Sequence, residues 1–307
     1  MRGSVRLGAM LSLSAMTTPE PNRPLAVVAM ADALYAHPQL KERLRAVRRA
    51  ARAVLTLDEE GYDVVLVPSA MAALDRQLLR AEEANTKLPL PALDAALAAA
   101  QAEVNASFQR ELMTLFRKES TNKRVASVQT QALVSTQDPA LADPSLPLGP
   151  VVSAWRAREL TKANRLTISE VAPGAWRRHV AALKPVDLLN TPILSALVAE
   201  GAVVITGAGL SMTVDAKGEW AGLDGVVSAE RTAALIAEHL AAECLIMLSG
   251  REHLFLREGR PDQEILEHVS TATLRRHVED GHLIESALPL DTPAHTQAPS
   301  RLGVCSR

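Results

Sequence analysis

Ala202-Val-Val-Ile-Thr-Gly-Ala-Gly-Leu-Ser211 decides the fold. Four apolar residues in an unbroken run predict a strand buried on both faces, the habit of parallel sheets covered by helices. Thr206-Gly-Ala-Gly209 then predicts a tight turn out of that strand. Its glycines admit two readings. They make the turn possible, or they let backbone N–H groups approach a phosphate.

The same pattern extends in both directions. Leu25-Ala-Val-Val-Ala-Met30, Val64-Val-Leu-Val67 and Cys244-Leu-Ile-Met-Leu248 read as further buried strands, and a less regular one is expected near 125–134. Between them lie helical periods. Residues 39–57 place Leu40, Leu44, Val47, Ala51 and Val54 on one face, and Gly61 stops that helix. The opposite face carries Arg43, Arg45, Arg48, Arg49 and Arg52, read as a solvated face rather than a phosphate-gripping patch. Residues 92–117 form an Ala-rich helix. Thr191 caps a helix opening at Pro192 and closed by Gly201, Ser228 caps another running to Ala242, and Ser270 or Thr271 begins one that Gly281 closes. Strands alternating with helices predict βαβ units.

Asp138-Pro139, Asp143-Pro144, Pro147 and Gly149-Pro150 mark an internal boundary. The expected organisation is a disordered leader over 1–23, an N-terminal lobe over 24–150, a C-terminal lobe over 151–284 and a disordered tail over 285–307. Residues 7–16 carry a short apolar stretch after Arg2 and Arg6; its serines and the prolines that follow favour a leader over an export signal.

Composition narrows the function classes. Lys plus Arg total 33 against 35 for Asp plus Glu, and aromatics are 3% of the 307 residues, so neither the basic excess nor the stacking platform of a nucleic-acid binder is present. No run approaches the length of a membrane span. Cys244 and Cys305 are too few for a disulfide framework or a four-cysteine zinc site, which points to a reducing cytoplasm. The histidines are scattered and lack ligand spacing, so no metal site is assigned. Cys244 reads as an inert thiol in an apolar strand.

Residues 203–211 also look like the opening nucleotide loop of sirtuin deacylases. The next segment, Met212-Thr-Val-Asp-Ala-Lys217, lacks that family's Gly-Ile-Pro-Asp-Phe-Arg run, and the zinc-binding cysteines are missing. A longer likeness carries more. Gly61-Tyr-Asp-Val-Val65, Thr130-Gln131, Asp138-Pro-Ala140 leading to Pro147-Leu-Gly-Pro150, Trp176-Arg-Arg178, Lys184-Pro185, 222–227, Gly259-Arg-Pro-Asp262 and Gly281-His282 stand in matching order. In these segments residues 24–284 resemble carbamate kinase, of the amino-acid kinase family. The resemblance implies a three-layer α/β/α sandwich, usually a homodimer, that moves a phosphoryl group between ATP and carbamate with magnesium. It also implies a small carbamoyl or carboxylate ligand.

The departures fall where charge is handled. The family's first phosphate loop, Gly-Gly-Asn, reads Ala29-Met-Ala-Asp-Ala33, and the second, His-Gly-Asn-Gly-Pro-Gln, reads Pro68-Ser-Ala-Met-Ala-Ala73. Its four-glycine loop reads Ala208-Gly-Leu-Ser211. Two of its lysines fall on Leu146 and Ala229, with Ser228 replacing an aspartate, and its nucleotide-site aspartate aligns with Glu252. After His282 no further lysine follows, and the last helix and strands of the family are expected to be absent, leaving a sheet edge in want of a partner.

The nucleotide contacts implied by the resemblance are therefore Gly207, Gly209, Ser211, Glu230 and Glu252, for ATP or ADP with magnesium; no catalytic residue is assigned. Asp94 and Gln101 match the family's substrate side, but the favoured reading is a helix cap and an exposed helical residue. Trp176-Arg-Arg178 reads as structural. The expected function is a carbamate-kinase-like homodimer or hetero-oligomer that has lost most or all phosphotransfer and serves as a binding, regulatory or subunit-interaction module. The alternatives are a retuned enzyme using Arg177, Arg251 or Arg260, and a decayed gene product, suggested by the tail from Leu283.

Overall fold

The unbroken apolar runs become the centre of one parallel sheet. The computed structural model describes residues 23–266 apart from 122, 165 and 250–253, together with 273, 276, 277, 280 and 301–305. In chain order the elements are β1 (Leu25–Met30), α1 (Leu40–Glu59), β2 (Asp63–Pro68), α2 (Met71–Glu83), α3 (Leu93–Lys118), β3 (Val125–Ser127), β4 (Gln131–Val134), β5 (Leu146–Val152) and α4 (Ala154–Asn164). They continue with β6 (Ile168–Ala172), β7 (Ala175–Ala182), β8 (Pro185–Leu188), α5 (Thr191–Ala199), β9 (Val203–Ile205), β10 (Leu210–Val214), β11 (Trp220–Gly222), β12 (Gly225–Val226) and α6 (Ala229–His239). The last are β13 (Cys244–Leu248), β14 (Leu254–Leu256), β15 (Glu264–Leu266) and β16 (Arg301–Cys305).

The main sheet runs β16-β13-β1-β2-β9-β3, with every pairing parallel. Alternation along its strands divides the core in two, because successive side chains point to opposite faces. Val28, Met30, Val64, Leu66 and Ile205 pack with Val47, Val54, Phe108 and Leu112 of α1 and α3. Val27, Ala29, Val65, Val67 and Val204 pack with Leu194, Ala233 and Ile236 of α5 and α6. That is the three-layer α/β/α sandwich expected from the sequence. Residue 150 lies inside β5, and the main sheet draws strands from both sides of it.

Helix ends follow the residues available. Gly61 takes φ +90° and Tyr62 N–H returns to the Leu57 carbonyl, closing α1. Ser228 Oγ accepts from Arg231 N–H at 3.2 Å, capping α6. Thr191 differs from expectation: Asn190 is the N-cap, and the Thr191 hydroxyl donates to the Leu188 carbonyl at 2.9 Å. The strand expected near 125–134 divides, β3 joining the main sheet and β4 a second sheet ordered β11-β10-β4-β8.

The chain end also corrects an expectation. Five register pairs join β16 to β13, so a closing strand is present within the segment read as tail. An edge strand offers a row of unpaired N–H and C=O groups, and five residues suffice to satisfy it. The helix expected after Ser270, and residues 283–300, lie outside the described residues.

A third sheet, β12-β7-β5 with β6 on β7, forms with α4 an excursion from the main body. Arg177 anchors it. Its Nη2 donates to both oxygens of Asp75 on α2 (3.0 and 2.9 Å) and its Nε to the Gly149 carbonyl at 2.7 Å. Arg156 adds a second tie to Glu82 through Nε and Nη2, at 2.5 and 3.1 Å. Arg178 pairs with Asp224. Among the described residues no helix is long and apolar enough to cross a membrane.

Candidate functional site

Ligands of open α/β sheets bind where loops leave the carboxyl ends of the strands. Here the ends of β1, β2 and β9 lie side by side: Ser69 N–H donates to the Met30 carbonyl and Thr206 N–H to that of Leu66, each at 2.8 Å. The loops read from the sequence as phosphate-handling segments therefore do meet. How each is closed determines what it can do.

Asp32 closes the first pair. Its Oδ2 accepts from Ser69 Oγ and from Ala72 N–H, both at 3.0 Å. The N-cap of α2 is Ala70, which has no side-chain acceptor, so a carboxylate forty positions upstream of Ala72 supplies the acceptor that the free N–H groups need. The positive end of the helix suits that charge. Burial nonetheless raises the Asp32 carboxyl above its ordinary range, against the lowering by Ala72, Ser69, Met71 and Arg76. Tyr35 locks the other side by donating its hydroxyl to the Ser69 carbonyl, and its ring meets Phe108 edge-on at 5.1 Å. Burial holds that phenol protonated far into the alkaline range, with Asp32 and Glu230 adding to the effect.

Packing closes the segment 206–211. Gly209 N–H donates to Thr232 Oγ1 at 3.0 Å, and Leu210 N–H to the Thr130 carbonyl. Gln101 donates its amide to the Ala208 carbonyl, and Ser211 Oγ donates to the Gly225 carbonyl at 2.8 Å. The glycines are needed for close approach. A Cβ on Gly209 would stand 2.4 Å from Ala132 Cβ, and one on Gly207 would stand 2.9 Å from Gln101 Cδ.

The residues singled out from the sequence are distributed accordingly. Gly207, Gly209 and Ser211 come together, but Gly209 N–H and Ser211 Oγ are already engaged within the protein. Glu230 stands in the first turn of α6, near enough to Tyr35 to act on its ionisation. Glu252 and Arg251 lie outside the described residues. Asp94 lies in the first turn of α3 and approaches Gly222 so closely that a Cβ there would sit 2.6 Å from Asp94 Oδ2. Gln101, read as exposed, is 1% exposed, because the loop 206–209 folds over α3. Its Oε1 has no partner, and neither do the buried Asn105 Oδ1 and Thr130 Oγ1. Arg177 is committed to Asp75, and Arg260 is exposed.

Sequence reasoning missed Asp32 as a cap. The available signal was a helix start, Ala70-Met71-Ala72, without any Ser, Thr, Asp or Asn at its own cap position.

The described residues do not fit ATP with magnesium. A carboxylate occupies the donors at the start of α2, Gly209 N–H is spent, and Leu146 and Ala229 stand where the resemblance places lysines. No group of three or more His, Cys, Asp or Glu that could hold a metal ion occurs among the described residues.

Comparison with known proteins decides the family. The model of the amino acid kinase family matches residues 26–295. The chain belongs to that family. Among its relatives are the carbamate kinase of Thermococcus kodakarensis, 28% identical over 252 residues (81% of this chain, 80% of that protein). The carbamate kinase-like protein YahI of Escherichia coli is 31% identical over 248 residues (79% and 78%). Among solved structures, carbamate kinase from Giardia lamblia bound to AMP-PNP superposes with a TM-score of 0.84 at 21% identity, covering 92% of this chain and 93% of that one. At that identity the superposition speaks for the fold alone. Within the amino acid kinase family, this chain is carbamate-kinase-like.

Proposed function

We propose that this chain is a carbamate-kinase-like protein that has lost most or all phosphoryl transfer and acts as a binding, regulatory or subunit-interaction module. One observation carries the reading: the Asp32 carboxylate sits on Ser69 Oγ and Ala72 N–H, between the two segments where the resemblance puts phosphate loops. A carboxylate within about 4 Å of a phosphate charge repels it by roughly 4 kcal/mol at an effective dielectric of 20. Phosphoryl transfer depends on positioning and on neutralising spread charge. Each missing donor to developing charge costs about 2.7–4 kcal/mol, so two lysines and the loop N–H groups together remove most of the catalytic effect.

A second reading is a phosphotransferase retuned to another carboxylate or carbamoyl compound. The partnerless buried oxygens of Gln101, Asn105 and Thr130 favour it, since a carbamoyl NH2 would supply donors to them. The cytoplasm, a homodimer or hetero-oligomer, and a small carbamoyl or carboxylate ligand complete the proposal.

The test is ATP formation from carbamoyl phosphate and ADP by the purified full chain, beside calorimetric titration with Mg-ATP and Mg-ADP. The expected result is no turnover above background. Turnover abolished by substituting Gly209 or Glu230 overturns the reading. Binding without turnover makes the chain a nucleotide sensor, and absence of both turns the search to a protein partner.

A further inference from the structure

The outer face of α3 carries an uncharged seam. Ala92, Ala95, Ala99, Ala102, Ala106 and Met113 are exposed, and they recur at alternating steps of three and four, with the half-buried Gln109 completing the series. That spacing holds one narrow stripe along a helix. The solvent side of a surface helix ordinarily carries charge, yet none of these seven positions does. Short side chains there let another helix approach closely, and Met113, 55% exposed, adds a large apolar one. The edge of the main sheet lies alongside: Gln109 Nε2 donates to the Val125 carbonyl at 3.2 Å, and among the described residues β3 pairs only with β9.

The two ends of the seam differ in charge. Towards the C-terminus of α3 an open groove of about 740 Å³ runs from Ala106 to Lys118; it exposes Arg110, Arg117 and Lys118, with Glu119 just beyond. Towards its N-terminus the helix meets the sheet ordered β11-β10-β4-β8. There Gln129 Nε2 donates to the Ala98 carbonyl at 3.1 Å, and a Cβ on Gly222 would stand 2.6 Å from Asp94 Oδ2. Gly222 is opposite Met212, Met212 is opposite Leu133 and Val214 is opposite Trp220, so these residues share one face of that sheet. Val214 and Trp220 are 46% and 56% exposed. Asp94, Asp187 and Glu219 border this apolar platform, with Lys217 among them.

We propose that α3 packs antiparallel on the same helix of a second copy of this chain, across a two-fold axis near Ala102. An isologous contact turns the opposite ends of the two protomers towards each other. The basic Arg110–Lys118 end of one protomer then meets the acidic Asp94 end of the other, with Met113 beside the Leu133–Met212–Trp220 platform. The uncharged alanines lie across the axis, where like charges would otherwise face themselves. A parallel arrangement would set bases against bases, so charge complementarity selects the orientation. The same contact covers the open edge of β3. Such a dimer specifies the subunit interaction proposed above and requires neither the presence nor the loss of phosphoryl transfer, so the two readings fail separately.

Sedimentation equilibrium of the purified full chain should give twice the 32.9 kDa of one chain. Ala102→Glu, at an exposed position and with a good helix former, should give the mass of one chain with unchanged far-UV circular dichroism. Arg52→Glu, on the exposed side of α1, should leave the dimer intact. Arg110→Asp should raise the dimer Kd about tenfold, and adding Asp94→Arg should recover most of that loss. Under oxidation Ala102→Cys should cross-link into a covalent dimer, because only residues at the axis come close enough to their own copies. Ala92→Cys should not, and neither should the wild type, which carries Cys244 and Cys305. If Ala102→Glu fails to fold, the cross-links decide. A monomeric wild type, a dimer indifferent to Ala102→Glu, or cross-linking through Ala92→Cys in place of Ala102→Cys overturns the proposal.

Discussion

The two halves of the strand-end loop cluster are closed by different means. Around Asp32 the closure is electrostatic: a buried carboxylate takes the hydroxyl of Ser69 and the first N–H groups of α2. Around Gly209 it is steric: the backbone lies so close to Ala132 that no side chain fits, and its N–H goes to Thr232. The first region carries Ala29-Met-Ala-Asp-Ala33 where the resemblance places glycines, and it holds an internal carboxylate. The second needs its glycines for packing alone, whatever else they do. A glycine surviving in a phosphate-loop position is therefore weak evidence for phosphate when a neighbouring backbone already requires it.

The comparison can be broken first at Gly209. Gly209→Ala should lower unfolding free energy by about 2–3 kcal/mol, because Ala132 Cβ cannot move without its strand. Unchanged urea denaturation would mean that the 206–211 segment is open enough to receive a ligand.

Asp32 comes next. Asp32→Ala should cost about 1–2 kcal/mol at neutral pH, through a lost helix cap and an unsatisfied Ser69 hydroxyl. Asp32→Asn keeps an acceptor and separates charge from capping. Because the folded-state pKa of Asp32 is raised, the native protein holds this proton more tightly than the unfolded chain. Its contribution is complete below the unfolded value of about 4 and is lost as pH rises through the folded value. The stability of wild type relative to Asp32→Asn should accordingly decline across that window, read from denaturation at successive pH values. A difference that grew with pH would show the carboxylate to be favourably buried and the closure stronger than described.

Smaller effects sharpen the boundary between the cluster and the excursion beside it. Arg177→Ala removes a pair in which one guanidinium nitrogen reaches both carboxylate oxygens and whose partners are both partly exposed, so about 1 kcal/mol is expected, with faster proteolysis within 150–175 as the more sensitive readout. Arg45→Ala, which loses only an exposed pair with Glu42 one helical turn away, should change stability by about 0.3 kcal/mol. If these two variants behaved alike, the excursion would not depend on Arg177 for its attachment to α2.

Much of the scaffold was legible because its signals are local. Leu25–Met30 and Val203–Ile205 read as buried strands since nothing polar interrupts them, and Gly61 and Ser228 act within one turn of where they stand. Signals that depend on distant partners were read poorly. Gln101 looked like an exposed helical residue until the 206–209 loop was folded over it. Arg43 looked solvated until α2 and α3 supplied Arg76 and Glu103 beside it. β16 follows a stretch rich in Pro, Thr and Ser, and its strand character rests on the vacant edge of β13.

By itself, the sequence determined the parallel sheet, the helices on its two faces and the identity of Leu146 and Ala229, where the resemblance places lysines. Periodicity and residue identity are enough for those. Only the tertiary structure decided which donors at the strand ends are already taken. Ala72 N–H is satisfied by Asp32 from forty residues upstream, and Gly209 N–H by Thr232 from twenty-three residues downstream. A backbone group is satisfied by whatever acceptor lies within about 3 Å, and folding brings that acceptor from parts of the chain that no local pattern connects.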